Sequence, residues 1–99
     1  MKLWIDDVRP APMGYVWCKS VETARIKIRV AEIEGFVVEL IDIDHDAGDY
    51  ANDGGDYIKL LDWLEETGRS YPIRIHSMNP VGVENMRRII QRNGWTEVR

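Results

Sequence analysis

The chain has 99 residues, 44% of them hydrophobic and 30% charged, with a net charge of −4 and a single cysteine. That length suits one domain, residues 1–99, and the balance is that of a folded globule without low-complexity tracts or solenoid repeats. Cys18 on its own excludes an internal disulfide or a cysteine-based metal centre. No apolar run reaches the ~20 residues that span a bilayer, so a cytoplasmic protein with no membrane partner is expected.

Lys2-Leu3-Trp4-Ile5 is a short apolar run stopped by the acid pair Asp6-Asp7. The segment Arg9 to Gly14 then reads as loop, because its two prolines remove donors and fix φ. Tyr15-Val16-Trp17-Cys18 is aromatic and β-branched, as a second strand would be. Ser20 is placed to cap a helix from about Val21 to Ile33, with Val21, Ala24, Ile28 and Ala31, joined by Val30, at helical spacing and Gly35 closing it. Phe36 to Ile43 reads as a strand buried on both faces, again ending in acids. Ala47 to Gly55 is a loop by its turn residues, followed by a helix carrying Tyr57, Ile58, Leu60, Leu61 and Leu64 that Gly68 terminates. Pro72 to Ser77 is a strand, and Asn79-Pro80 opens the last helix, striped by Val83, Met86, Ile89 and Ile90. Gly94 ends it, leaving Trp95 to Arg99 as a terminal strand.

Strands alternating with helices imply right-handed crossovers and a mainly parallel sheet, and ligands on such sheets bind beyond the carboxyl ends of the strands. Asp6-Asp7, Asp42 to Asp46 and His76-Ser77 would therefore meet at one edge although far apart in sequence. Glu39, Asp42, Asp44, Asp46, Asp49, Asp53 and Asp56 fall in one stretch without a Lys or Arg. Such a stretch repels duplex nucleic acid and calls for either solvent or a cation. Asp42-x-Asp44-x-Asp46 imitates the start of an EF-hand loop, but Ala47 stands where the turn glycine belongs and a strand precedes it.

In this order the chain resembles the receiver domain of two-component response regulators: an acid pair after the first strand, Asp44 after the third, Ser77 after the fourth. Leu3 to Pro10, Ile43 to Gly48 and Ile75 to Asn79 look more like the divergent cyclic-phosphate-processing receiver family, over nearly the whole chain. The resemblance implies an α/β, flavodoxin-like five-stranded sheet of order 2-1-3-4-5. The first helix is replaced here by the proline-rich loop, the last is missing, and no lysine follows the fifth strand.

Asp6, Asp7 and Asp44 are the expected ligands of Mg2+ or another divalent cation, since hard cations take carboxylate oxygens and bridge to phosphate. His45 and His76 flank the pocket and, with Asp44, are the candidate catalytic residues, imidazole being suited to proton transfer. Ser77 and Asn79, at a helix start, are candidates for holding phosphate. A phosphoesterase acting on cyclic phosphate groups of nucleotides is the leading reading. The alternatives are a signalling module phosphorylated at, or binding a ligand near, Asp44, and a non-catalytic interaction domain. With the helices of one face gone, Trp4 and Arg74 would lie on an open sheet face, for which a two-fold homodimer is the expected cover.

Overall fold

A computed structural model describes residues 1–99. Five strands, β1 (Lys2–Ile5), β2 (Tyr15–Cys18), β3 (Leu40–Ile43), β4 (Ile73–Ile75) and β5 (Glu97–Val98), form one sheet in the order β2-β1-β3-β4-β5. Every neighbouring pair is parallel, with Lys2 beside Leu40, Ile41 beside Ile73 and Ile73 beside Glu97. Three helices, α1 (Val21–Glu34), α2 (Ile58–Glu66) and α3 (Pro80–Asn93), supply the crossovers, and α2 packs between the other two. This is the receiver-like, flavodoxin-type arrangement without its first and last helices. No helix is long and apolar enough to cross a membrane.

The strands' period of two sorts their side chains onto unlike faces. Leu3, Ile5, Ile41, Ile43 and Ile73 point under the helices and are fully buried, in one cluster with Ile28, Leu60, Leu61, Leu64, Met86 and Ile90. Lys2, Trp4, Asp42 and Arg74 point the other way. Aromatic rings and loop, rather than helices, cover that face. Trp4 meets Tyr15 edge-on at 5.9 Å, the indole N–H of Trp4 donates to the carbonyl of Arg9 at 2.8 Å, and the Arg9 guanidinium donates to the carbonyl of His76 at 2.9 Å. The Arg9 loop is thereby laced across the sheet edge.

Helix limits follow their caps. The Ser20 hydroxyl accepts from the Thr23 amide and Gly35 closes α1 with a left-handed φ of 80°, which a side chain would resist. Two expectations need trimming. The third strand begins at Leu40, not Phe36, because its neighbour β1 offers partners only from Lys2 onward; Phe36 instead turns back, its amide donating to Ala31 in the helix cap. The loop after β3 is also more ordered than its turn residues imply: Gly48–Asn52 makes a 3-10 turn, and the Glu22 amide donates to the carbonyl of Asp53.

Candidate functional site

β1 and β4 end one residue short of Asp6 and His76, and β3 carries Asp42 in its middle. Parallel pairing sets these three side chains against one another. His76 Nδ1 lies 2.6 Å from Asp42 Oδ1 and Nε2 lies 2.9 Å from Asp6 Oδ2, so one imidazole bridges two carboxylates that are at most 1% exposed. The Trp4 ring lies flat on the imidazole, centroids 3.9 Å apart and planes within 5°. Burial opposes the charge on His76, but the hydrogen bonds and charges of Asp42 and Asp6 outweigh it and raise the imidazole above its usual pKa. Acids on both ring nitrogens favour the charged form of this imidazole, and the indole face stacked on it favours that form further. Burial likewise opposes ionisation of Asp6, yet the amides of Arg9 and Val8, which donate to Oδ1, and His76 hold its carboxyl below the ordinary value.

Beside this clamp, one carboxylate oxygen from each of Asp6, Asp7 and Asp44 lies within 4.8 Å of the others. Burial, joined by the charges of Asp6 and Asp44, raises the carboxyl of Asp7. Three carboxylates thus converge beside a histidine already shared between Asp6 and Asp42, an excess of negative charge that a divalent cation would relieve. The donors fit such an ion. They are hard oxygens, Asp44 spends one of its pair on the His45 amide, and Asp6 keeps a free lone pair on the oxygen that meets His76. The loop after β3 closes against Asp7: a side chain at Gly48, whose φ is +54°, would collide with the Asp7 carboxylate.

His45 is placed differently from His76. Its Nδ1 pairs with Asp46 at 2.8 Å, and its ring packs on the first turn of α3, where any side chain larger than that of Gly82 would strike it. Nε2 is left open, the arrangement by which an acid orients an imidazole for proton transfer. Ser77 and Asn79 form the turn into α3: the Ser77 hydroxyl oxygen accepts from the Asn79 amide and Asn79 Oδ1 accepts from the Gly82 amide. Their remaining donors are the Ser77 hydroxyl proton and the Asn79 side-chain NH2.

The residues singled out by sequence therefore gather at one edge, but in two groups. Asp6, Asp7 and Asp44 cluster, and His45, Ser77 and Asn79 ring the adjoining helix start. His76 faces inward to buried acids rather than outward. Asp42, Asp46, Gly48 and Gly82 were not singled out as site residues. Asp42 carried a signal, being an acid inside the apolar run Leu40-Ile41-Asp42-Ile43; the glycines carried none.

The all-parallel sheet, its strand order and the acids at its carboxyl edge define a receiver-type domain. A family model for the cyclic-phosphate processing Receiver domain matches residues 1–92, and the chain belongs to that family. None of the curated proteins and none of the solved structures matches it.

Proposed function

We propose that the domain is a phosphoesterase that opens cyclic phosphate groups of nucleotides, with a divalent cation held by Asp6, Asp7 and Asp44. The observation that carries this reading is the convergence of those three carboxylates beside an imidazole whose Nε2 is free, in a chain of the cyclic-phosphate processing family. A cation there supplies Lewis-acid stabilisation of phosphate charge. The Ser77 hydroxyl and the Asn79 side-chain NH2, the donors left over at the start of α3, orient the phosphate. His45, oriented by Asp46, takes the proton of the attacking water as the new P–O bond forms and the ester P–O bond opposite it breaks; the leaving oxygen takes a proton from solvent and His45 returns its own to solvent, so the ring opens to a monoester with one water consumed. His76 and Asp42 act as positioning residues: they hold Asp6 in place and touch no substrate.

Incubation with 2′,3′-cyclic and 3′,5′-cyclic nucleotides in the presence of Mg2+ or Mn2+, followed by 31P NMR, tests this. Ring opening by the wild type, reduced on the order of 10²-fold or more in His45→Ala, is the expected result. Absence of turnover by the wild type on every cyclic phosphate offered would remove the proposal. A phosphoryl adduct on Asp44 after treatment with acetyl phosphate would favour the signalling reading instead.

A further inference from the structure

α1 carries apolar side chains on two opposite sides. At about 100° per residue, Val21, Ala24, Ile28 and Ala31 line the side sunk in the core, while Ile26, Val30 and Ile33 fall at i, i+4, i+7 on the side facing away. The stripe continues past the helix end into Phe36 and Val37, and the exposures of Ile33, Phe36 and Val37 are 85%, 61% and 73%. Single exposed apolar residues need no explanation; five in one contiguous patch do. Beside the patch runs a groove of about 190 Å3 between α1 and β2, floored by Val16 and Ala31 and rimmed by Lys27 and Glu34.

We propose that this face of α1 is the contact of a two-fold homodimer, in which the helix packs antiparallel on its own copy. The spacing of Ile26, Val30 and Ile33 is that of a heptad seam, which fits a second helix. Charge identifies which helix. Lys27 and Glu34 lie on the same flank of the stripe, and neither is in an ion pair within its own chain. A two-fold axis near residue 31 sets Lys27 opposite the second copy's Glu34 and repeats the pair in reverse, while Val30 meets Ile33. The surface is complementary to itself, as an isologous contact must be. The open sheet face offers less, because Trp4 already stacks on His76 and bonds Arg9.

Light scattering coupled to gel filtration at high micromolar concentration tests the contact. The expected wild-type mass is twice that of the 11.5 kDa chain. Ile33→Asp, at a solvent-exposed position that leaves the monomer's core intact, should fall to monomer mass with an unchanged circular dichroism spectrum. Lys27→Glu should weaken the dimer at least several-fold, and Lys27→Glu combined with Glu34→Lys should restore it. A monomeric wild type would overturn the proposal, as would a dimer that survives Ile33→Asp; a dimer that instead falls apart on Trp4→Glu would assign the contact to the open sheet face.

Discussion

The two faces of the sheet are built from alternate residues of the same strands, yet they are closed by different means. Beneath the helices, Leu3, Ile5, Ile41, Ile43 and Ile73 seal the interior by apolar contact alone. On the opposite face the neighbours Trp4 and Asp42 close the sheet through a stacked ring and an ionic bridge through His76. The apolar face is indifferent to pH and forgiving in shape, whereas the polar one holds only while every partner is present. Asp6 belongs to the polar network and to the Asp6, Asp7 and Asp44 carboxylate group alike, so the cover of the open face also positions one of those three acids.

The largest expected effect lies on the polar face. His76→Ala removes the hydrogen-bonding ring shared by two buried carboxylates and should destabilise the metal-free protein by about 3–5 kcal/mol in urea unfolding. The deficit should depend on pH. The folded-state pKa of His76 is raised, so its contribution is fully present below the unfolded value of 6.5 and is lost as pH rises through the folded value. The gap between wild type and His76→Ala should therefore be widest in mildly acidic solution and narrow on the alkaline side. A gap independent of pH would show that the imidazole acts by packing alone.

Ile41→Ala, at a fully buried position on the helix-covered face, is the matched control. It should cost about 2–5 kcal/mol by leaving a cavity, with the same deficit at every pH between the two carboxylate and imidazole limits. A pH-dependent loss there would mean the two faces are coupled.

Smaller effects sharpen the contrast. Trp4→Leu removes the stacking on His76 and the bond to Arg9 and should cost about 1–2 kcal/mol in thermal unfolding. Arg74→Ala, on the same face but exposed, should change stability by less than about 0.5 kcal/mol. Equal losses from the two would indicate that general cover rather than the stack protects the bridge.

The fold was legible because its signals are local. Period-two runs, the caps at Ser20 and Asn79 and the glycines at 35 and 94 mark the elements, and chain order then leaves few topologies. Strand limits were less legible: Phe36-Val37 looks like strand, and only the register of β1 shows that it has nothing to pair with. At the site, the acids could be placed because each follows a strand. The direction of each histidine could not, since His45 and His76 both stand beside pocket positions, Asp44 and Ser77, and differ in what three-dimensional packing brings to their ring nitrogens.

The proposed chemistry depends on a divalent cation held by Asp6, Asp7 and Asp44. Titration of 15N-labelled protein with Mg2+, repeated with trace Mn2+, tests it most directly. Saturable shifts and paramagnetic broadening centred on the amides of residues 6, 7, 44 and 48 are expected, abolished in Asp7→Asn while the remaining spectrum is retained. No saturable change at millimolar Mg2+, or broadening spread along the acidic loop at residues 49–56 and unaffected by Asp7→Asn, would contradict it.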